Sequence, residues 1–335
     1  MWRIRRGRRF FAETWNQIVV AGHRRKQTDG QSDRGVRRNH WSKKIMMKKL
    51  LVLSISFAAC AGAAFADVSI SGDARMGVAS TPKVADGDFL FSSRVRIRFS
   101  ASGETDDGLK FGAVVRNNEG LLGATTGAEG SVFIDSPDFG KLSMGDVDGA
   151  AQAAVTQFGA IGFDETLKLQ EFLFLTGGGT SKGRDALYTY TSGMLSVSVS
   201  IGDPGATNAV PAKDYSDDRA VGVSYTTEFW KLAIGYEDDG VKTQSILSGS
   251  YGNGQAELKA AYGLRNDDVD QYVIYGTYVI DVNTISAFYR KDFKDVSYSG
   301  LGISHDLGGG MALSAGYAKP DDTDASISIG ATMSF

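Results

Sequence analysis

The last eleven residues, Ala325 to Phe335, read ASISIGATMSF, and their alternation decides the fold. Ile327, Ile329, Ala331, Met333 and Phe335 share one face of an extended chain, and Ser326, Ser328, Gly330, Thr332 and Ser334 share the other, because successive strand side chains point to opposite sides. One face is greasy and the other small and hydroxyl-rich. A soluble sheet buries such a greasy face in a core, whereas a lipid-facing barrel strand needs the same pattern over about 9–11 residues. The chain stops at an aromatic carboxylate with no tail, which favours the membrane reading.

The same period of two recurs upstream. Val68 to Ala79 sets Val68, Ile70, Ala74, Met76 and Val78 against Ser69, Ser71, Asp73 and Arg75. Phe89 to Ala101, Leu109 to Asn117, Val132 to Asp135 and Lys141 to Gly145 follow. After a long gap come Ala186 to Thr191, Leu195 to Gly202, Ala220 to Thr226, Trp230 to Glu237, Thr243 to Tyr251, Gln255 to Arg265, Gln271 to Val279, Thr284 to Arg290, Val296 to His305 and Met311 to Lys319. With the terminal segment the count is sixteen. Every second connection is short, such as Ser192-Gly193 and Gly252 to Gly254, while those between are longer and often acidic, such as Asn117 to Gly130 and Asp203 to Arg219. Tight turns on one side and long loops on the other are the mark of outer-membrane barrels. Tyr225, Trp230, Tyr236, Tyr251, Tyr262 and Tyr317 near strand ends are candidates for interfacial girdles. The expected class is all-β, a 16-stranded antiparallel transmembrane barrel.

The front of the chain carries an export signal. Met47-Lys48-Lys49 precedes an apolar run from Leu50 to Ala59, and Ala64-Phe65-Ala66 precedes Asp67. A positive n-region, a short h-region and an A-x-A site make a secretory signal peptide over 47–66, too short to span a membrane as a helix. Lipidation at Cys60, the only cysteine, is the weaker alternative, because Phe57 is a poor residue three places before a lipidated Cys. Residues 1–46 hold runs such as Arg5-Arg6-Gly7-Arg8-Arg9 with no apolar stretch to make them a twin-arginine signal. They read as an upstream mis-start outside the fold, with 67–335 as the barrel domain. Cleavage after Ala66 would place a new ammonium at Asp67, and pairing of first and last strands would bring it to the Phe335 carboxylate as a barrel-closing ion pair.

The 269 residues from Asp67 onward carry 21 basic and 36 acidic side chains, a formal charge of −15, and no cysteine. That acidity argues against nucleic acid as a partner. An exported chain without disulfides needs another restraint, and a closed hydrogen-bonded barrel supplies one.

Two features carry function. Between Gly145 and Asp185 lies a connection of about forty residues without strand alternation, and loops of that length are usually functional or disordered. Its apolar residues Phe158, Ile161, Phe163, Leu167, Leu169, Phe172 and Phe174 suit packing on a barrel wall, and its acids include Asp146, Asp148, Asp164, Glu165 and Glu171. Against it stand Arg94, Arg96 and Arg98, at spacing two on one strand, with Arg75 and Arg116 on the polar faces of the flanking segments. Arginines against lipid are strongly disfavoured, so in a barrel they line the lumen. A basic wall facing an acidic loop gives a transverse field across a constriction.

At these residues the chain resembles the trimeric general-diffusion porins of alphaproteobacteria. The matching stretches are SGDARMGV (Ser71 to Val78), FSSRVRIRFSASGETDDGLKFGA (Phe91 to Ala113), FGKLSMGD (Phe139 to Asp146), LYTYTSG (Leu187 to Gly193) and GLGISHDLGGG (Gly300 to Gly310), with the Phe end. The resemblance implies a sixteen-stranded barrel in the outer membrane of a Gram-negative bacterium, a homotrimer surrounded by outer-membrane lipid, and delivery to the barrel assembly machinery through Phe335. It further implies a third outer loop folded into the lumen as an eyelet and passive passage of small hydrophilic solutes, and the formal charge of −15 would make that passage weakly cation-selective. Arg75, Arg94, Arg96 and Arg116 then occupy wall positions that are basic in the family, and Arg98 is an addition. Some members bind calcium among loop acids. Asp164-Glu165 is the pair offered for it here, without a fixed ligand spacing, and no other cofactor is implied.

An enzyme is the main rival class, since some outer-membrane barrels are lipases or acyltransferases. His305 is the single histidine after the leader and would have to serve as the base beside a nucleophile. A lone histidine beside a turn is far more often a satisfied polar residue. A substrate-specific channel would need an aromatic slide in its lumen, and a structural barrel would not conduct.

Overall fold

The computed structural model describes residues 67–80, 89–119, 125–163, 169–177, 185–204 and 217–335. The leader, Asp164 and Glu165 lie outside them. Sixteen strands follow in chain order: β1 (Asp67–Ser80), β2 (Leu90–Glu104), β3 (Lys110–Glu119), β4 (Thr125–Ser136), β5 (Gly140–Gly145), β6 (Asp185–Ser192), β7 (Leu195–Ile201), β8 (Arg219–Thr226), β9 (Trp230–Asp238), β10 (Thr243–Gly252), β11 (Ala256–Arg265), β12 (Asp270–Ile280), β13 (Asn283–Lys291), β14 (Ser297–Gly308), β15 (Met311–Pro320) and β16 (Ser326–Ser334). A single described helix, α1 (Ala150–Val155), sits between β5 and β6. Each strand pairs antiparallel with its neighbours in the chain, and β1 pairs with β16, Met76 opposite Ala331, to close the barrel. Closure removes the edge strands that would otherwise leave backbone groups unpaired in lipid.

The two faces are inverted relative to a soluble sheet. In β16, Ile327 and Ile329 are 44% and 56% exposed while Ser326 and Ser328 are 1% and 2% exposed. In β7, Ser198 and Ser200 are buried and Val199 and Ile201 exposed. A water-soluble protein would bury the aliphatics and expose the hydroxyls. A continuous exposed aliphatic belt of this extent requires lipid around it. Tyr225, Trp230, Tyr236, Tyr262 and Tyr317 share this outer exposure, and Tyr251 packs on Trp230 with ring centroids 4.7 Å apart. No described helix is long and apolar enough to cross a membrane, so the crossing elements are the strands.

All sixteen expected strands are present, and the differences lie at their ends. β4 begins at Thr125 rather than near Val132, and β14 runs to Gly308, past His305, through an irregular register at Asp306 to Gly308. Alternation is written only where one face meets lipid. Where a strand rises beyond the hydrocarbon layer both faces meet water and the period disappears. The short turns are tight enough to demand glycine: at Gly310 (φ 84°) a Cβ would come within 2.4 Å of the Ser334 carbonyl oxygen.

The register corrects the expected Asp67–Phe335 ion pair. Phe335 exchanges backbone hydrogen bonds with Gly72, at 3.0 and 2.6 Å, and Asp67 instead stands opposite Ser102 of β2. Five residues of extended chain separate Asp67 from Gly72, roughly 16 Å at about 3.3 Å per residue. Closure rests on the backbone ladder rather than on terminal charges.

Candidate functional site

Directly opposed residues of an antiparallel pair share a face. Arg75 stands opposite Arg94, Asp73 opposite Arg96, and Arg98 opposite both Ser71 and Arg116. Three adjacent strands therefore gather all five sequence-predicted arginines into one patch, on the face opposite the aliphatic belt. Like charges facing each other across a sheet are destabilising, and no barrel needs such a patch to fold. Asp73 relieves it locally: Arg94 Nη2 donates to its Oδ1 at 2.8 Å, and Arg96 Nη1 lies 4.0 Å from its Oδ2. Arg75 is buried, Arg94 and Arg96 are half-buried and Arg98 is exposed. A cavity of about 480 Å³ opens beside them, lined by Asp73, Arg75, Arg94, Arg96 and, from the long connection, Phe163.

The acids divide. Asp146 and Asp148 follow β5 and act electrostatically on Arg116 and on each other. Burial first, and the Asp146 carboxylate second, push the Asp148 carboxyl above its ordinary value, against the pull of Arg116. Asp148 also accepts a 2.8 Å hydrogen bond from Gln152 Nε2. Glu171 lies elsewhere, acting on Arg290 of β13. Asp164 and Glu165, with the calcium assignment that rests on them, are outside the described residues. Among the described residues no group of three or more His, Cys, Asp or Glu side chains is arranged to hold a metal ion. His305 is exposed, and its Nδ1 is 2.8 Å from Asn283 Oδ1.

The long connection is ordered through most of its described length. Its AAQAAV run forms α1, since Ala and Gln are strong helix formers, and Asp148 and Gly177 form an isolated bridge that draws its two ends together. Six residues are too few for an isolated helix, so tertiary contacts hold it. Ala150, Ala151, Ala154 and Val155 are all buried against β7 to β10, and Ala150 N–H donates to Ser200 Oγ at 2.8 Å. Glycines of the non-lipid face form the seat. A Cβ at Gly222 would come within 2.2 Å of Ala150 O, and one at Gly235 within 2.8 Å of Ala151 Cβ. Farther along, Gly162 approaches Gly316 at comparable range, and Phe163 fits against Gly77 and Gly330. The apolar side chains Phe158, Ile161, Phe172 and Phe174 join Ala220, Ala233, Ile246, Ala261, Val273, Tyr275 and Phe288 of the strands in one buried cluster.

Buried cations tie the same segment to the wall. Lys259 Nζ donates to the carbonyl oxygens of Thr156 (3.1 Å) and Gln157 (3.0 Å), capping the C-terminal end of α1, and lies over the Phe158 ring. Arg290 Nη1 donates to Leu169 O at 3.0 Å. Sequence reasoning missed Asp73, Lys259 and Arg290, because a charged residue on a water-facing strand face reads alike whether it lines open water or holds a segment. The glycines did carry a signal: Gly222, Gly235, Gly316 and Gly330 all fall on the non-lipid face, where strand glycines mark a close backbone approach.

Replacing Gly222 by Leu should therefore unseat α1. Limited trypsin digestion of the folded variant would then cut at Lys168 or Lys182 faster than in wild type, with the far-UV circular dichroism of the barrel unchanged. Equal cleavage rates would mean that the Gly222 contact does not hold the helix.

Comparison with known proteins follows the same lines. The family model described as Gram-negative porin matches residues 52–325. A porin of Rhodobacter capsulatus is 33% identical over 301 residues, covering 76% of this chain and 95% of that protein. A porin of Fuscovulum blasticum is 23% identical over 295 residues, covering 78% and 99%. Among solved structures, a porin refined at 1.8 Å superposes with a TM-score of 0.65 at 28% identity, covering 80% of this chain and all of that one. A mutant of Rh. blastica porin superposes at 0.63 with 19% identity, a likeness of fold.

Proposed function

This chain belongs to the Gram-negative porin family and resides in the outer membrane, and we propose that its barrel is a water-filled channel for passive diffusion of small hydrophilic solutes. A sixteen-stranded barrel is wide enough to leave an aqueous lumen. The reading is carried by one observation: the described parts of the connection, residues 146–163 and 169–177, pack on the non-lipid face of β7 to β16 and reach, through Phe163, the cavity beside the arginines of β1 and β2. In this reading the segment is an inward-folded third outer loop. The constriction lies between it and the basic wall of Arg75, Arg94, Arg96, Arg98 and Arg116. Asp146 and Asp148 oppose the basic wall at its β3 end. The formal charge of −15 from Asp67 onward, partly countered by that wall, makes the channel weakly cation-selective.

Tyr275 and Phe288 are buried beneath the segment instead of being presented to a passing solute, which favours general diffusion over a sugar-specific aromatic slide. The working unit is a homotrimer in outer-membrane lipid. The test is single-channel recording of the reconstituted protein in planar bilayers, where stepwise, near-ohmic currents are expected and a folded protein that never conducts would sink the proposal.

Export would remove residues 1–66. N-terminal sequencing of outer-membrane material should read Asp-Val-Ser-Ile. Recovery of any of residues 1–46, or of a lipidated Cys60, would refute that processing.

A further inference from the structure

We infer that Glu237, Gln244 and Gln271, with the notch at Gly263, form a clamp that positions residues 171–177 and so sets the bore of the channel. The inference rests on the constriction reading above, and adds the residues that hold the constriction in place. Glu237 of β9 and Gln244 of β10 stand directly opposite each other. On β11, Gly263 is the residue opposite Gln271 of β12. Because Gly263 has no side chain, Gln271 reaches across β11 and its Nε2 donates to Gln244 Oε1 at 3.0 Å, while Gln244 Nε2 donates to Glu237 Oε1 at 3.0 Å. All three side chains are no more than 1% exposed.

This wall network grips the backbone of the segment. Gln271 takes Leu173 at both ends: its Oε1 accepts from Leu173 N–H at 3.1 Å and its Nε2 donates to Leu173 O at 2.6 Å. Gln244 Nε2 donates to the same carbonyl at 3.2 Å. Glu237 accepts from Leu175 N–H at 2.6 Å, from Thr176 N–H at 3.4 Å and from the Thr176 hydroxyl at 3.2 Å. Phe172, 1% exposed, drops its ring into the notch, where a Cβ on Gly263 would lie 2.7 Å from Phe172 Cζ. Main-chain groups taken out of water must find partners, and here the wall supplies them with side chains of fixed donor and acceptor sense. Four donors converge on Glu237, two on each carboxyl oxygen, so both oxygens are engaged as acceptors. An amide in its place turns one acceptor into a donor facing Thr176 N–H, and unmade buried hydrogen bonds are costly.

The barrel strands are paired by their backbone ladder, and most clamp contacts join segment to wall, so their loss should show in the pore and not in the barrel. The experiment records single channels from reconstituted full-length protein for Glu237→Gln, Gly263→Leu, Phe172→Ala and the double variant Gly263→Leu with Phe172→Ala. The single variants are expected to lose the one resolved conductance level of wild type, replacing it with fluctuating sublevels, and to admit larger neutral polymers. The double variant, whose leucine fills the notch that the missing ring vacates, is expected to recover a single level. Glu237→Gln is isosteric, so it remains informative should a bulk change at Gly263 prevent folding. A wild-type channel that conducts, beside folded variants with unchanged level and exclusion limit, would overturn the clamp and leave the pore reading standing. A wild type that does not conduct would overturn the pore reading itself. A double variant as noisy as its parents would also reject the notch as the seat of Phe172.

Discussion

Deleting residues 161–172 should raise single-channel conductance severalfold and admit sugars that wild type excludes. The deleted stretch takes away Ile161, Phe163 and Phe172, each less than a tenth exposed on the wall, together with the Leu169 carbonyl that Arg290 holds. What remains is a sixteen-stranded barrel whose backbone ladder closes from β1 to β16 without the segment. Such a wall retains its hydrogen bonds in lipid, so the barrel should still form. The variant loses stability, because Ala261, Val273, Tyr275 and Phe288 exchange buried apolar contacts for water. Burying a Val- or Phe-sized side chain is worth about 1.5–3 kcal/mol, so the thermal transition should fall while the folded form remains preparable. An unchanged exclusion limit in a folded deletion variant would mean that the segment does not restrict the channel.

Replacing Arg94 and Arg96 together by Ser should shift the reversal potential in a salt gradient strongly toward the cation limit. Two positive charges leave the wall, and Asp73 loses the guanidinium held at 2.8 Å and the one at 4.0 Å, so an acid that was locally neutralised acts on the passing ion. The shift should grow as salt falls, since the Debye length lengthens from about 3 Å at 1 M to about 30 Å at 0.01 M. Asp146→Asn with Asp148→Asn should move the potential the other way, because both carboxylates act on Arg116 of the same wall. If the arginine pair leaves the reversal potential unmoved at low salt, the arginine patch does not face the ion path.

The arginine patch was legible because the period of two is rigid. Once Val95, Ile97 and Phe99 are assigned to lipid, Arg94, Arg96 and Arg98 have one face left to occupy, and the neighbouring strands place Arg75 and Arg116 beside them by register. Asp73 was visible on the same face, yet its role depended on which residue of β2 stood opposite it. Closure shows the same dependence. That the first and last strands meet follows from an even count, but that Phe335 meets Gly72 and not Asp67 is a matter of stagger, which alternation does not encode.

The sequence by itself determined the strand number, the two faces of the strands wherever alternation is written, the side on which turns are short, and the presence of one connection unusually long and apolar. These are local consequences of side-chain period and turn chemistry, and each strand states them separately. Only the tertiary structure decided where that connection rests. Its path follows from glycines, Ala150 and Ala151, buried glutamines and Glu237 that are far apart in the chain and meaningless singly. They become a seat when strand register sets the notches at Gly222, Gly235, Gly263 and Gly316 against a segment whose bulk fits them. Packing complementarity is a relation between distant residues, so no single stretch of the chain contains it.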